Sequence, residues 1–279
     1  MPKFCYYNGK IIPIAKAALP INDIGILRGY AIFDYAKVYN GKPFLLKEHI
    51  ARFEQSAKKM GLIIPAAAPK IEKIIKELLT KNKIKDQNAG IRMILTGGTL
   101  VEGLSFNPAK PSFFILIEDL KDLPENLFEK GAALITHEHE RMFSDIKTTN
   151  YITAVQLQKE KNKKKAVEIL YLYNSKVLEC STSNFFIVKK NKIYTPAENI
   201  LIGITRNHVI KLARNAGMSV VEKNISKREM LDADEAFITA SNKEVLPIVH
   251  IDDALIGNGQ VGEVSKKLRQ LFIESISNK

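Results

Sequence analysis

The stretch Asp145-Ile146-Lys147-Thr148-Thr149-Asn150-Tyr151 decides how the rest of the chain is interpreted. It places a single lysine, Lys147, between an apolar residue and two small hydroxyl residues. A lysine amine with the ordinary pKa of about 10.4 is protonated and therefore not nucleophilic. Burial beside a cationic or polarised group lowers that pKa, and amine chemistry needs this shift. The stretch alone fits either a surface lysine or a reactive one, so the neighbouring motifs must decide.

A second informative stretch is Glu179-Cys180-Ser181-Thr182-Ser183-Asn184-Phe185-Phe186. It places a carboxylate after a predicted strand, followed by small polar residues and then an aromatic strand. One interpretation is a β-turn capped by serine and asparagine. The other is a buried acid, Glu179, that faces a ring nitrogen. Phe185 and Phe186 are predicted to be core residues.

Three further segments offer anion-binding groups. Gly203-Ile204-Thr205-Arg206 opens a predicted helix, where backbone N–H groups and the helix dipole bind anions and glycine permits close approach. The alternative is simple N-capping by Thr205. Arg52, on the polar side of its predicted helix, suits a salt bridge or a phosphate contact equally well. Ser241, at the end of a predicted strand, offers a hydroxyl donor to the same anion.

The length of 279 residues suits two medium-sized domains. Strands and helices are mixed without strict βαβ repetition, so the predicted fold class is α+β. The charged segment around Pro124 is the expected linker. We therefore expect a small α/β domain over residues 1–120, a linker over 121–124 and a large domain over 125–279.

Hydrophobic periodicity and turn residues set the expected elements. Helices are predicted over Lys47–Met60, Pro69–Lys81 and Thr205–Ala216. Strands are predicted over Lys3–Asn8, Lys10–Pro13, Ala31–Tyr39, Pro43–Leu46, Gly90–Thr96, Pro111–Asp119, Ala132–His137, Glu168–Tyr173, Phe185–Lys189 and Glu235–Ser241. Residues 97–108 are expected to form a loop.

The formal net charge of +12 raises the question of nucleic-acid binding. The basic residues are scattered, however, and no nucleic-acid-binding motif accompanies them, so neither a nucleic acid nor a membrane is expected as partner. The two cysteines, Cys5 and Cys180, lack metal-ligand spacing, and no metal site is expected. Few cysteines, no signal-peptide-like apolar start and no apolar run of spanning length predict a cytoplasmic protein.

Taken together, these motifs resemble the class IV aminotransferases, the pyridoxal-phosphate enzymes of fold type IV. The resemblance covers nearly the whole chain, and the spacing of the Lys147, Glu179 and Gly203 motifs is its most specific part. The group contains D-amino-acid transaminases, branched-chain amino-acid transaminases and aminodeoxychorismate lyases. The matching segments are Arg28–Asp34, His49–Arg52, Ile146–Asn150, Glu179–Phe186, Gly203–Arg206 and Val261–Glu263.

The resemblance implies a role for each candidate residue. Lys147 is the Schiff-base lysine of pyridoxal 5'-phosphate and later moves the substrate proton. Glu179 pairs with the pyridine nitrogen, and Tyr151 occupies the place of a phenol that contacts the ring hydroxyl. The remaining implied cofactor ligands bind the phosphate, namely Arg52, the backbone of Ile204 and Thr205, and the hydroxyl of Ser241.

The chain departs from the family pattern at two places. Gly29-Tyr30-Ala31 and Asp34 replace the usual Gly-Asp-Gly and glutamate, and Thr96-Gly97-Gly98-Thr99-Leu100 stands where D-amino-acid transaminases carry an Arg-x-His carboxylate trap. A less familiar D-amino-acid transaminase subgroup reads Leu-Arg-Gly-Tyr-x-Ile-Phe-Asp-Tyr and is similar here. Because a substrate α-carboxylate needs a cation, Arg28 and Arg92 are the expected substrate-binding residues, with structural ion pairs as the alternative.

Three functions follow from these interpretations. The first is transamination between a D-amino acid or a branched-chain amino acid and a 2-oxo acid. The second is release of pyruvate from 4-amino-4-deoxychorismate by the same scaffold. The third, a non-enzymatic basic binding protein, is disfavoured because Lys147 and Glu179 are both present. The resemblance and the frequency of two-fold assemblies together predict a homodimer.

Overall fold

A computed structural model describes residues 2–277, and the chain in it forms two compact units. The first unit holds Met1–Lys121 together with Ile146–Asn150, and the second holds Asp122–Asp145 together with Tyr151–Lys279. This division differs from the sequence-based one at residues 146–150, which were expected in the large domain. The mixture of helices and mainly antiparallel strands confirms the α+β class.

The first unit is a twisted antiparallel sheet with helices on one face. Its strands follow the order β2-β1-β8-β5-β3-β4, and β6 pairs with β7 in a separate hairpin. Its helices are α1 Ile24–Arg28, α2 Leu46–Lys59 and α3 Ala68–Lys81, after a 3₁₀ turn at Ile14–Lys16. Its strands are β1 Phe4–Tyr7, β2 Lys10–Pro13, β3 Ala31–Tyr39, β4 Lys42–Pro43, β5 Ala89–Thr96, β6 Leu100–Glu102, β7 Ser105–Phe106 and β8 Ser112–Asp119.

The apolar stripes of α2 and α3 explain why both helices lie on the sheet. Ile50 and Phe53 of α2 and Ile71 and Ile75 of α3 are all buried in one core with strand residues such as Ile91. Burying apolar side chains of this size stabilises a fold by about 1.5–3 kcal/mol each. The predicted boundaries of both helices are correct to within one residue.

The segment that carries Lys147 belongs to the first unit because of one buried side chain and two backbone hydrogen bonds. Ile146 is 4 % exposed and lies in the same core as α2 and α3. The Phe33 N–H donates to the Lys147 carbonyl at 2.9 Å, and the Thr149 N–H donates to the Ala31 carbonyl at 3.1 Å. Residues 146–150 thus run beside the start of β3, which fixes the backbone at Lys147.

The second unit is a larger mixed sheet packed against helices. Its strand order is β14-β13-β12-β16-β17-β9-β10-β11-β15, with β18 paired to β17. Its helices are α4 Glu125–Lys130, α5 Ile152–Gln156, α6 Gln158–Lys163, α7 Ile204–Asn215, α8 Lys227–Leu231 and α9 Glu263–Ser277. Its strands are β9 Ala132–Glu138, β10 Glu168–Tyr173, β11 Lys176–Cys180, β12 Asn184–Lys189, β13 Lys192–Thr195, β14 Val220–Glu222, β15 Ile225–Ser226, β16 Glu235–Ala240, β17 Glu244–Ile251 and β18 Ala254–Leu255.

The aromatic strand predicted after Glu179 lies at the centre of this sheet. Phe185 and Phe186 are both fully buried, which confirms their assignment to the core. Phe186 stacks on Phe237 of the neighbouring strand β16, with ring centroids 4.7 Å apart. The strand therefore holds its polar first residue, Asn184, at a fixed position beside the residues around Glu179.

Three local predictions were wrong. Residues 43–46 do not form a strand, because β4 ends at Pro43 and α2 begins at Leu46. Residues 97–108 contain the hairpin β6–β7 within the expected loop. Glu179 lies inside β11 and not after it, so its side chain is held by a sheet. Among residues 2–277, no helix is both long and apolar enough to span a membrane.

Candidate active site

Lys147 lies half-buried at the end of the first unit's sheet. Its Nζ is 4.7 Å from the centroid of the Phe33 ring, and the Arg92 guanidinium carbon is 5.2 Å from the same centroid. The ring of Phe33 thus interacts with two cations, each by its negative π-face. The structure places Lys147 among β3 and β5 side chains, which the sequence pattern did not predict.

A buried charged cluster lies beside this lysine. Asp34, fully buried on β3, accepts hydrogen bonds from His49 Nδ1 at 2.7 Å and from Arg52 Nε and Nη2 at 2.8 and 2.9 Å. Burial alone would raise the pKa of Asp34, but the Arg52 guanidinium and the His49 hydrogen bond lower it well below its usual range. Burial, with the Arg52 and Lys147 charges, outweighs Asp34 and lowers the pKa of His49. Asp34 is therefore ionised, and His49 is neutral.

Arg52 was expected to bind phosphate or to form a salt bridge. The structure shows the salt bridge, because its guanidinium makes a two-point contact with Asp34. The side chain keeps 12 % of its surface exposed. The aspartate, which stands where the family usually has glutamate, thus orients Arg52. The phosphate role of Arg52 stays a prediction.

In the second unit, Glu179 is a buried carboxylate with several donors around it. It is 6 % exposed, and its Oε1 accepts hydrogen bonds from Arg141 Nε at 2.9 Å and Nη2 at 2.6 Å. The Leu201 N–H donates to both carboxylate oxygens at 3.1 Å, and Asn184 Nδ2 lies 3.3 Å from Oε2. A buried carboxylate with a cation and N–H donors favours its ionised form. The β-turn interpretation of this segment is therefore wrong.

Arg141 is a site residue that the sequence reasoning missed. Its Nη2 also donates to the Ser144 carbonyl at 2.5 Å, which ties the chain just before residue 145 to Glu179. An arginine shortly before the Asp145–Tyr151 stretch was the available signal. Nothing in the one-dimensional pattern paired it with Glu179, because the two residues meet only through the fold.

The start of α7 lies next to Glu179. Asn184 Nδ2 donates to the Leu201 carbonyl at 2.7 Å, and a Cβ at Gly203 would overlap Asn184 Oδ1. Gly203 is the N-cap of α7, so capping by Thr205 is excluded. Within residues 2–277 no side chain caps this helix, and its first-turn N–H groups, at Ile204 and Thr205, suit an anion.

Ser241 and Tyr151 are half-buried residues of the second unit. Ser241 follows β16 and lies in a turn closed by the Lys243 N–H donating to the Ala240 carbonyl at 3.1 Å. Asn184 pairs in register with Thr239 of β16, so the Ser241 turn and the Glu179 network lie on neighbouring strands. Tyr151 is the N-cap residue of α5.

Arg28 and Arg92, the expected carboxylate ligands, have different environments. Arg28 is exposed at the end of α1, and its Nη1 donates to the Leu27 carbonyl at 2.8 Å. Arg92 pairs with Glu118 on β8, with Nε–Oε1 and Nη2–Oε2 distances of 2.5 and 3.0 Å, and lies 5.1 Å from the centroid of the Tyr35 ring. The structure therefore contains the ion pair that was the alternative for Arg92, on the sheet face that carries Phe33.

Comparison with known proteins identifies the family. The family model described as amino-transferase class IV matches residues 31–251. The chain belongs to the class IV aminotransferases. It is accordingly a pyridoxal-phosphate-dependent aminotransferase of fold type IV, as the sequence motifs predicted.

Similar proteins match over almost their whole lengths. A Methanocaldococcus jannaschii protein named "Putative branched-chain-amino-acid aminotransferase" is 36 % identical, over 96 % of this chain and 94 % of that protein. A D-alanine aminotransferase of Bacillus licheniformis is 31 % identical, over 97 % and 96 %. The crystal structure of a T.th. branched-chain amino acid aminotransferase with pyridoxamine 5'-phosphate has a TM-score of 0.92 and 29 % identity, over 100 % and 95 %.

The donor set of the chain fits pyridoxal phosphate. The cofactor's ring nitrogen must stay protonated, and Glu179 is a buried, ionised carboxylate that can hold that proton. The phosphate dianion needs N–H and cationic donors, and the uncapped first turn of α7 behind Gly203 supplies the former. These groups would hold the ring and the phosphate respectively.

The buried ion pair of Asp34 predicts a specific acid sensitivity. Because the folded-state pKa of Asp34 is depressed, its contribution to stability is present above the unfolded pKa of about 3.9 and is lost as the pH falls further. Asp34→Asn should lower the free energy of unfolding by about 3–5 kcal/mol near pH 7, since it leaves Arg52 without its counter-charge. Urea denaturation from pH 7 to pH 3 should show this deficit shrinking below about pH 4.

Asp253→Asn is the matched control, because the Asp253 side chain is 91 % exposed in its ion pair with Lys164. It should change stability little at any pH. A constant deficit for Asp34→Asn across the whole pH range would contradict an ionised Asp34.

Proposed function

We propose that this aminotransferase moves the amino group between a 2-oxo acid and a D-amino acid or a branched-chain amino acid. The names of similar proteins support both substrate classes, since one is a branched-chain and another a D-alanine aminotransferase. The observation that carries the proposal is the presence in one chain of a buried ionised acid, Glu179, and a lysine, Lys147, whose backbone is fixed along β3.

The proposed roles follow the chemistry of each side chain. Glu179 holds the proton at the pyridine nitrogen, and Tyr151 donates its phenol to the ring hydroxyl. Lys147 attaches to the cofactor and exchanges the proton at the substrate Cα. The phosphate ligands are Arg52, the Ile204 and Thr205 N–H groups at the start of α7, and the Ser241 hydroxyl.

Pyridoxal phosphate supplies an electron sink for the substrate carbanion. The protein supplies the groups that make this sink effective. Arg141, Leu201 and Asn184 orient the Glu179 carboxylate and satisfy it by hydrogen bonds. The Phe33 ring beside Lys147 Nζ gives the amine a defined position without a competing hydrogen-bond acceptor on that ring.

A panel of amino donors tests the reaction. The cofactor-loaded protein should lose its visible absorbance with D-alanine or with L-leucine, release the matching 2-oxo acid and regain the absorbance with 2-oxoglutarate. Product analysis with 4-amino-4-deoxychorismate tests the lyase alternative. Release of pyruvate from that compound, without turnover of any amino donor, would replace the transaminase proposal.

Labelling of the reactive lysine tests the site. Borohydride reduction followed by peptide mapping should place the pyridoxyl group on Lys147. Lys37, a buried lysine on the neighbouring strand β3, is the internal control and should stay unlabelled. A label on any lysine other than Lys147 would disprove the assignment.

Substrate carboxylate binding is proposed for Arg28 and Arg92. A carboxylate that enters a partly dry site loses hydration, and a charged donor offsets this loss. Loss of one charged hydrogen bond of about 1.5–3 kcal/mol predicts a fall in kcat/KM of about 10- to 150-fold for Arg28→Ala and for Arg92→Ala, with an unchanged cofactor spectrum.

Glu118→Gln separates recognition from structure at Arg92. It weakens the ion pair but keeps the guanidinium, whose partner Glu118 is half-exposed. If Arg92 binds substrate, Glu118→Gln should retain far more kcat/KM than Arg92→Ala. Equal losses in the two variants would assign Arg92 to a structural ion pair.

We further propose a cytoplasmic homodimer. Strongly exposed apolar side chains lie on two neighbouring segments of the first unit, with Ile21 87 %, Val101 72 % and Leu104 71 % exposed. The Leu100 N–H donates to the Asn22 carbonyl at 3.0 Å, which brings these segments together. A second copy of the chain would cover such a patch. Light scattering should give twice the 31.4 kDa chain mass, and a monomer under assay conditions would refute the dimer.

A further inference from the structure

A buried ion pair in the second unit has no role in the chemistry described so far. Lys243 Nζ lies 2.8 Å from Glu168 Oε1, and the two residues are 8 % and 3 % exposed. Burial would raise the pKa of Glu168, but the Lys243 ammonium and the hydroxyl donors around the carboxylate lower it. Both groups are therefore charged. Such a pair is seldom retained for stability alone, because desolvation offsets most of its attraction.

Glu168, the first residue of β10, organises the loop that follows Glu179. Its carboxylate accepts hydrogen bonds from the hydroxyls of Ser181, Thr182 and Ser183 and from the Thr182 N–H, the last at 3.2 Å. The Cys180 N–H donates to the Ser183 carbonyl at 2.8 Å, so the loop is tight. Residues 181–183 are thus fixed by one buried carboxylate.

Lys243 organises the turn that carries Ser241. Its N–H closes the turn on the Ala240 carbonyl, and its Nζ also donates to Thr182 Oγ1 at 2.9 Å. The next residue, Glu244, has a φ of +57°, in the left-handed region that costs a non-glycine residue free energy. A turn with this backbone persists when its surroundings fix it, and the Lys243 side chain is the group that does so.

The two anchored segments lie at the same ends of neighbouring strands. The loop 181–183 precedes β12, the turn 240–243 follows β16, and Asn184 of β12 pairs in register with Thr239 of β16. Lys243 and Glu168 therefore brace the Ser241 turn against a loop that is itself fixed.

We propose that Lys243 and Glu168 are positioning residues that hold the Ser241 turn in the geometry required by the cofactor phosphate. The proposal rests on the proposed phosphate role of Ser241. It makes a distinctive statement, since the brace should matter for a ligand with a phosphate and not for the same ligand without one.

The experiment compares pyridoxal 5'-phosphate with pyridoxal, which lacks the phosphate. The Kd of each is measured by the visible absorbance of the bound form, at a temperature below the Tm of every variant. Lys243→Met should raise the Kd of pyridoxal phosphate at least tenfold and change the Kd of pyridoxal less than twofold. Lys189→Met is the matched control, since Lys189 pairs with Asp232 and Asp234 in a half-exposed position, and it should alter neither Kd.

Two further variants make the result decisive. Ser241→Ala should show the same phosphate-selective loss, and adding Lys243→Met to it should have little further effect if both act through one turn. Lys243→Arg, which keeps the charge, should recover most of the affinity.

The outcomes separate the two proposals. Equal losses for pyridoxal phosphate and pyridoxal in Lys243→Met would overturn the positioning role and assign the pair to the fold. So would a selective loss in Ser241→Ala with none in Lys243→Met. If Ser241→Ala itself shows no selectivity, the phosphate assignment of Ser241 fails, and the inference built on it fails too.

Discussion

The structure depends above all on keeping a buried carboxylate ionised at Glu179. A carboxylate taken out of water either becomes neutral or acquires a cation and hydrogen-bond donors. Here Arg141 supplies the cation, and the Leu201 N–H and the Asn184 amide supply the donors. These requirements fix the chain before residue 145, the start of β12 and the approach to α7 around one side chain. An apolar substitute for Arg141 would leave the charge without compensation.

The first unit meets the same physical demand with different residues. Asp34 is fully buried and is kept ionised by Arg52 and by the hydrogen bond from a neutral His49. The cost of burying these charges is offset by two-point guanidinium contacts, which are stronger than single hydrogen bonds. Both units therefore pair a strand carboxylate with an arginine, and the second unit adds the Lys243–Glu168 pair. Charge compensation by geometry is the common device of this fold.

Elements whose pattern depends on local periodicity were predictable from sequence. The stripes of α2 and α3, the strands β3 and β10 and the aromatic core of β12 follow from spacing alone, because each such residue is buried by any partner of similar polarity. Elements that form through distant contacts were not. The hairpin β6–β7 and the attachment of residues 146–150 to β3 depend on hydrogen bonds to residues far away in sequence.

The sequence by itself determined the family, the cofactor and the residues with the appropriate chemistry, because a lysine, an acid and a glycine-led helix start at fixed spacing are rare together. Only the tertiary structure decided what each residue touches. It paired Arg141 with Glu179, Arg52 with Asp34 and Arg92 with Glu118. The reason is physical: periodicity reports which face of an element is buried, whereas the partner of a buried charge is set by strand order and register, which a single sequence does not encode locally.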